Sequence, residues 1–325
     1  MKKIKSYLTA MSIPVILYLI MMILAPKRFG SGQSIYNILV QSIVPALIGY
    51  SMSFGQVAGL MDFTVGSRAM VSSICGGILS LKFGFFGLLF GCLTTSTVLG
   101  ITSGLVYRFT RIPSFVISLG LVMVFEIIGA MILSLVNNTT TLPSSAVLLR
   151  QYPYNFIVLI VMSVIFYMMF YHTKFAYQVR AVGGDETIAS NAGIKPMRVK
   201  TLCYFLGGPL LGMAALMQSS YSGLFAAQIN MLTLATVFRP MMGVMIGIEL
   251  MELCCLPVGI YIGSVSLNVL YAGIIALGWE DALQNVFVGL FMLIIMVISN
   301  NKPTINEFAL RLKQRIGKNR IENIG

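Results

Sequence analysis

The stretch AVGGDETIASNAGIKPMRVK, residues 181–200, is the longest polar segment in a chain that is otherwise strongly apolar. Asp185 is placed to cap a helix, and Glu186 follows in the first turn, where a negative charge is favourable. Gly193 is typical of the position just after a helix. The pattern predicts a helix of about two turns over 185–192, and so short a helix is stable only when it packs on something else. Its packing partner is either the rest of the chain or a second protein.

The composition around this segment is that of an integral membrane protein. Of the 325 residues, 57% are hydrophobic and 10% are charged, with a mean hydropathy of +0.89, whereas a soluble domain carries about 25% charged residues. Helices satisfy their backbone groups within one segment, so we expect an all-α, polytopic membrane bundle. About ten apolar runs are long enough to span a bilayer. These are 7–25, 36–59, 64–81, 84–107, 114–136, 154–171, 200–219, 232–251, 257–278 and 283–299.

The distribution of charge predicts the orientation of these spans. The net charge is +12, but the cations lie between apolar runs, which favours a membrane orientation signal over nucleic-acid binding. The stretch GQVAGLMDFTVGS, residues 55–67, is either a turn between two spans or a re-entrant loop. Two full passes there would place 108–112, 172–199 and 300–325, which hold most of the cations, on the N-terminal side. We therefore expect an even number of spans and two cytoplasmic termini.

The sequence argues against an enzyme. It contains no GxxxxGK[ST] motif, so the chain has no P-loop of its own. Its only histidine is His172, and its five cysteines form no CxxC pair. We expect no catalytic residue, no metal site and no cofactor, and therefore a transport or structural role.

Several motifs resemble permease subunits of ribose-type ABC importers, in the branched-chain amino acid/ribose permease superfamily. The segment AVGGDETIASNAGIKPMRVKTLCYFLGG (181–208) is similar to the signature of that family, and MDFTVGS (61–67) is similar to a second motif. SFVISLGLVMVFEIIG (114–129) and GIYIGS (259–264) match more loosely. The resemblance implies a type II ABC importer-like fold, with a transmembrane permease domain over 1–300 and a basic cytoplasmic tail over 301–325.

The resemblance also implies partners and a location. In this family two permease subunits form a channel in the bacterial cell membrane, separate ATP-binding cassette ATPase subunits supply the energy, and an extracytoplasmic solute-binding protein delivers a sugar. The segment 183–193 would be the cytoplasmic coupling helix that contacts the ATPase. The resemblance assigns nine residues to this contact region: Gly183, Gly184, Asp185, Glu186, Ala189, Gly193, Ile194, Arg198 and Lys200.

Three charged residues lie in or beside predicted spans, where an ionisable group is costly and points to function. Glu126 either pairs with Arg239, which fixes helix packing, or lines the solute path. Asp62 either caps the next helix or contacts a gate. A group of polar residues at the end of the span 200–219 could contact a sugar: Gln218, Ser219, Ser220 and Ser222. Within that span, Gly208 and Gly212 have the GxxxG spacing of a close helix crossing.

One region departs from the family. Residues 237–259 lack its usual glycine-rich segment, which suggests that this chain is one half of a heterodimeric channel. Two other classes remain open. One is an ion-coupled secondary transporter, with Asp62, Glu126 and the broken stretch 54–66 near its ion site. The other is a regulatory membrane subunit that transports nothing.

Overall fold

The computed structural model describes residues 2–136 and 141–278, together with positions 286, 289, 290 and 293. The described residues are helical apart from turns, extended connections and one isolated bridge between Thr141 and Leu224, so the all-α prediction is confirmed. Residues Met1–Val269 form one compact unit and Leu270–Gly325 a second. Most of the predicted span 283–299 and all of the tail 301–325 lie outside the described residues.

Twelve helices are found in the part of the chain that the structure describes. They are α1 (Lys2–Leu24), α2 (Pro26–Phe29), α3 (Gly32–Gln41), α4 (Ile43–Val57), α5 (Thr64–Thr110), α6 (Ser114–Ser134), α7 (Tyr154–His172), α8 (Lys174–Gly184), α9 (Glu186–Asn191), α10 (Pro196–Ser222), α11 (Leu232–Glu249) and α12 (Leu256–Ala276). Short 3-10 turns occupy Ser144–Ala146, Leu148–Arg150 and Leu250–Glu252. Among the described residues, eight helical segments are long and apolar enough to cross a membrane.

Helix α5 contains two passes rather than one. Gly84 has φ +57° and ψ −138°, a backbone conformation outside the helical region. The chain reverses there, because Gly91 on the second limb packs against Gly76 on the first, where an added Cβ would lie 2.6 Å from the Gly76 Cα. The two limbs correspond to the predicted spans 64–81 and 84–107.

The stretch 55–67 is the turn between two full passes, and the re-entrant alternative is wrong. Helix α3 begins near the start of α7, where the rings of Tyr36 and Phe156 are 6.3 Å apart. Helix α4 ends where the Val57 carbonyl meets Gly183. The consecutive helices α3 and α4 therefore run together from one end of the bundle to the other. We call these ends the Gly84 end and the α9 end. The positive-inside rule predicts that the α9 end faces the cytoplasm.

Helix α10 crosses the second limb of α5 at very short range. A Cβ added to Gly208 would lie 2.9 Å from the Thr97 Cα, and one added to Gly212 would lie 2.8 Å from the Leu93 Cα. The Ser96 hydroxyl donates to the Gly208 carbonyl at 2.7 Å. The close crossing predicted from the GxxxG spacing is therefore confirmed, and backbone contact fixes the two helices against each other.

The region that departs from the family pattern still packs through glycine. A Cβ added to Gly259 on α12 would lie 3.2 Å from the Gly247 Cα on α11. Four residues earlier in α11 and five residues later in α12, a Cβ added to Gly243 would lie 2.9 Å from the Ser264 hydroxyl oxygen. The remaining glycines therefore retain a close helix crossing in 237–259 despite the altered sequence.

Candidate functional site

The polar stretch 181–200 folds as predicted at its centre. The Asp185 carboxylate accepts the backbone N–H groups of Thr187 at 2.7 Å and Ile188 at 2.9 Å, so it caps α9. These two hydrogen bonds stabilise the charged form and lower the pKa of the Asp185 carboxyl. Gly193 follows the helix with φ +83°, the left-handed conformation that favours glycine. The predicted cap and the predicted stop are both confirmed.

A second helix, α8, precedes α9 and was not predicted. The Thr173 hydroxyl caps it by accepting the N–H of Ala176 at 3.2 Å. Ala176, Val179 and Val182 are buried, so one side of α8 packs on the bundle. The spacing of three residues between these apolar side chains is typical of a helix with one buried face and could have predicted α8. A helix of eleven residues is too short to span the membrane, so the predicted spans do not include it.

Arg180 holds α8 against the end of α7. Its Nη1 donates to the Phe170 carbonyl at 3.2 Å, and its guanidinium lies 5.4 Å from the Phe170 ring centre. The rings of Tyr171 and Tyr177 lie at 5.9 and 4.7 Å. Cation–π contacts of this kind orient the side chain and stiffen the junction between the two helices.

Ala189 is the predicted contact residue whose position must be corrected. Its side chain is only 3% exposed and belongs to the main hydrophobic core, so it packs on the chain itself and is not available to a separate protein. Ile188, the preceding residue, is 69% exposed, because it lies about 100° around α9 from Ala189, on a side that the bundle does not cover. The short helix therefore has a buried face that holds it in place and an exposed apolar tip.

The two glycines before α9 differ sharply in their surroundings. A Cβ added to Gly183 would lie 1.7 Å from the Val57 carbonyl oxygen, whereas one added to Gly184 would meet nothing within 4 Å. Gly183 thus brings the backbone of α8 directly onto the end of α4. We call the paired helices α8 and α9 the knob, and Gly183 is the root at which the knob contacts the bundle.

The other predicted contact residues divide between packing and exposure. Lys200 forms an ion pair with Glu186, which joins the start of α9 to α10. Ile194 is half-buried against the main core, and its N–H donates to the Ala189 carbonyl at 3.0 Å. Arg198 is exposed. The structure therefore brings the nine positions together in one compact segment at the α9 end.

A second candidate site lies where the chain connects α10 to α11. Residues 224–231 are not helical, and they run from the Gly84 end into the bundle. At their start the Phe225 ring lies against Gly77 of α5, and three residues later the Gln228 N–H lies 3.0 Å from the Met70 sulfur. Beyond them, Gly66 contacts the Thr233 carbonyl. From Gly77 to Gly66 the contacts of this connection move eleven residues along α5, which is about 16 Å of helix.

Helix α11 consequently begins inside the bundle, and Glu126 satisfies its free N–H groups. The Glu126 carboxylate accepts the N–H of Met231 at 2.7 Å, the N–H of Thr233 at 2.9 Å and the Thr233 hydroxyl at 2.6 Å. Glu126 is 1% exposed. Of the two alternatives for Glu126, the pairing with Arg239 is wrong, because Arg239 instead donates to the Asn268 side chain at 3.5 Å. A role of Glu126 or Arg239 in the solute path remains a prediction. A helix N-terminus compensates the buried carboxylate in place of a cation.

The backbone is strained at this break. Asn230 and Met231 both have φ +61°, the left-handed conformation. Asparagine tolerates this conformation, whereas it costs Met231 about 1–2 kcal/mol. The hydrogen bond from its N–H to Glu126 holds Met231 in this conformation. Irregular backbone in a membrane protein is tolerated where it is buried in protein or lines a cavity, and breaks of this kind mark solute paths.

A cavity of about 250 Å³ lies beside the break, between α4, the first limb of α5, the end of α10 and the start of α11. Its polar lining consists of hydroxyl and amide groups: Ser73, Gln218, Ser219, Ser222, Gln228, Thr233 and Thr236. Three of the four polar residues at the end of the predicted span 200–219 line this cavity, namely Gln218, Ser219 and Ser222. Ser220 does not, because its hydroxyl donates to the Ala146 carbonyl at 3.4 Å.

Asp62 and Arg68 form a buried ion pair at the base of α5. One Asp62 oxygen accepts the N–H of Thr64 at 2.9 Å, which confirms the predicted capping role, and the other lies 3.0 Å from the Arg68 guanidinium. Arg68 is 1% exposed. Its Nε and Nη1, and the nearby Tyr204 hydroxyl, have no hydrogen-bond partner among the described residues. The gate contact considered for Asp62 remains a prediction.

Comparison with known proteins identifies the family. A family model described as the permease component of the branched-chain amino acid transport system matches residues 34–296. The chain belongs to this permease family. It is thus a multi-pass transport component of the bacterial cell membrane, as its apolar helices also indicate.

Two relatives of this permease carry the name ribose import permease protein RbsC. The one from Haemophilus influenzae is 26% identical over 215 residues, and the one from Bacillus subtilis is 28% identical over 215 residues. Each alignment covers 63% of this permease and 66% of the relative, slightly less than two thirds of the relative's length. No solved structure is found to match the chain.

No group of three or more His, Cys, Asp or Glu residues within the described residues is arranged to hold a metal ion.

Proposed function

We propose that this permease is the membrane subunit of an ATP-binding cassette importer for a sugar or sugar-like solute, and that a separate ATPase subunit drives it through α9. The observation that carries the proposal is the construction of the knob. Its root at Gly183 and its inner face at Ala189 pack on the bundle, while its tip at Ile188 is exposed. A segment built in this way can receive a push from a partner and pass it to the helices that it contacts.

The naming of the relatives supports the solute class. Both are ribose import permeases, and the cavity beside the α11 break is lined with uncharged polar groups that suit a carbohydrate. The sequence contains no P-loop, so ATP hydrolysis belongs to another chain in this proposal. An extracytoplasmic binding protein would deliver the solute at the Gly84 end.

A second permease subunit completes the proposed channel. Gln218, Gln228 and Thr236 are exposed in this single chain, although they lie in or beside helices that cross the membrane. Polar groups of this kind face a partner or a water-filled path rather than lipid. The partner is either a second copy or, as the altered region 237–259 suggests, a different permease.

The role of α9 can be tested by ATPase capture. The affinity-tagged permease is co-expressed with the ATPase encoded beside it, and the retained ATPase is quantified after purification. Ile188→Asp should abolish retention, because it places a charge at the apolar tip without changing the buried face. Leu148→Asp is the matched control, since Leu148 is an exposed leucine in a turn at the Gly84 end, where the ATPase would not reach.

Transport in liposomes provides the second measurement. Solute uptake by the wild-type complex should require ATP, be blocked by vanadate and be lost with Ile188→Asp. Uptake that survives Ile188→Asp but collapses with an ionophore would instead identify an ion-coupled secondary transporter. A complex that captures the ATPase and moves no solute would point to a regulatory subunit.

A further inference from the structure

We propose that the cavity beside the α11 break is a binding site for an uncharged, polyhydroxylated solute, with the Ser219 hydroxyl as a recognition group. This inference rests on the proposed import function and names the site at which the permease itself contacts the solute. It also specifies the charge of the solute that the site admits.

The cavity has the size and position of a site for a small solute. Its volume of about 250 Å³ lies below the 300–1,000 Å³ typical of pockets for drug-sized ligands. It lies beside a helix that begins inside the bundle, with strained backbone at Met231. Strain of this kind clusters at ligand sites, where the surrounding structure maintains it.

The chemistry of the lining favours hydroxyl groups as ligands. Serine and threonine hydroxyls and glutamine amides both donate and accept hydrogen bonds, as the hydroxyls of a sugar or polyol require. Among the residues that the structure describes, none that lines the cavity is an Asp, Glu, Lys or Arg. A phosphate or carboxylate would therefore enter without a cation to compensate its charge.

Ser219 supplies the most specific observation. Its side chain is 1% exposed, it lines the cavity, and its hydroxyl has no hydrogen-bond partner among the described residues. Buried hydroxyls are almost always paired, so an unpaired one beside a cavity points to a group that enters the cavity. Ser220, the next residue, is equally buried but already donates to Ala146. The two serines thus form a natural test and control.

Glu126 determines the charge that the site accepts. The free N–H groups at the start of a helix ordinarily attract anions. Here the Glu126 carboxylate occupies the N–H groups of Met231 and Thr233, and Thr233 itself lines the cavity. The full negative charge outweighs the half positive charge of the helix end, so the base of the cavity repels anions. The site therefore admits neutral solutes and excludes their phosphorylated forms.

The experiment measures equilibrium binding of radiolabelled probes to the purified full-length permease in detergent. The probes are a panel of neutral pentoses, hexoses and their polyols, together with ribose 5-phosphate. At least one neutral probe should bind, and ribose 5-phosphate should bind at least about tenfold more weakly than ribose. Ser219→Ala should weaken binding of the neutral probe by about tenfold without lowering the midpoint of thermal unfolding, because the hydroxyl has no partner to lose.

Ser220→Ala should give the opposite result, with a lower unfolding midpoint and unchanged affinity for the probe. Failure of the whole neutral panel to bind, or wild-type affinity in Ser219→Ala, would overturn the proposal. Equal binding of ribose and ribose 5-phosphate would overturn it too. Capture of the ATPase by α9 reports separately on the import function. If the permease captures the ATPase but binds no probe, only the assignment of the cavity is wrong. If it binds a probe but does not capture the ATPase, the proposed ATP-driven function is wrong.

Discussion

Replacing Gly183 with alanine should uncouple the knob from the bundle. The added Cβ would lie 1.7 Å from the Val57 carbonyl oxygen and 2.9 Å from its carbonyl carbon. Ordinary contacts of a Cβ begin at 3.4 Å, so the root of the knob must move by about 1.7 Å relative to α4. Because the obstacle is backbone rather than a flexible side chain, the strain should cost about 1–3 kcal/mol.

The expected consequence is poor transmission rather than loss of the ATPase. The exposed tip at Ile188 is unchanged in Gly183→Ala, so the ATPase should still be captured and should still hydrolyse ATP. If the strain of about 1–3 kcal/mol at Gly183 is lost from the free energy that couples ATP hydrolysis to solute import, this coupling should weaken by about fivefold or more. Solute imported per ATP hydrolysed should therefore fall at least about fivefold in liposomes that contain the purified complex.

Gly184→Ala is the matched control for this measurement. A Cβ at Gly184 would meet nothing within 4 Å, and the residue lies at the end of α8 one position from Gly183. It should import solute per ATP as the wild type does. Equal ratios in the two variants would refute the reasoning, because the packing of Gly183 on Val57 would then have no part in coupling.

Three further predictions concern buried or capped charges. Glu126→Gln keeps the shape of the side chain but exchanges charge-assisted hydrogen bonds for neutral ones, so the free energy of unfolding should fall by about 1–2 kcal/mol, whereas the exposed Glu252→Gln should leave it unchanged in the same denaturation assay. Arg68→Met leaves the partly buried Asp62 carboxylate without its cation and should lower the free energy of unfolding by about 3–5 kcal/mol. The same loss in a double variant that also carries Asp62→Asn would count against the ion pair. The carboxyl of Asp185 has a lowered pKa in the folded chain, so its cap is complete above the unfolded value of 3.8 and disappears as the pH falls through the lower folded value. In the wild type, backbone hydrogen exchange at the start of α9 should accordingly become faster as the pH falls through that acid range. Asp185→Asn, whose side chain does not titrate, is measured at each pH as the control.

Local chemistry explains what the sequence could predict. The cap at Asp185, the stop at Gly193 and the cap at Asp62 each depend on a side chain and the few residues that follow it. The close crossing at Gly208 and Gly212 depends on a spacing along one helix. The passes 64–81 and 84–107 were predictable from their apolar length, and the distribution of the cations predicted that 55–67 is a turn between two full passes. The caps, the stop and the glycine spacing are each present within a few residues of sequence.

The features that were missed depend on contacts between distant parts of the chain. Ala189 and Ile188 are adjacent on a short helix, and only the packing of α9 on the bundle decides which of them is buried. The descent of residues 224–231 along α5 was not predicted, because nothing in their sequence marks it. One signal was available in Glu126. The negative charge of a carboxylate within a span must be compensated. A helix N-terminus can do this in place of Arg239, the partner considered from the sequence.

The knob and the cavity are joined by an unbroken series of close contacts. Gly183 packs on the end of α4, the following turn carries Asp62, and Asp62 is paired with Arg68 on α5. The same helix contacts the Thr233 carbonyl through Gly66, and Thr233 lines the cavity. Close-packed contacts resist compression, so a displacement at the knob cannot be absorbed along this route without repacking. The strained break before α11 is the point on the route where the backbone is least constrained by helical hydrogen bonds, and it is there that a push from the α9 end should change the shape of the cavity.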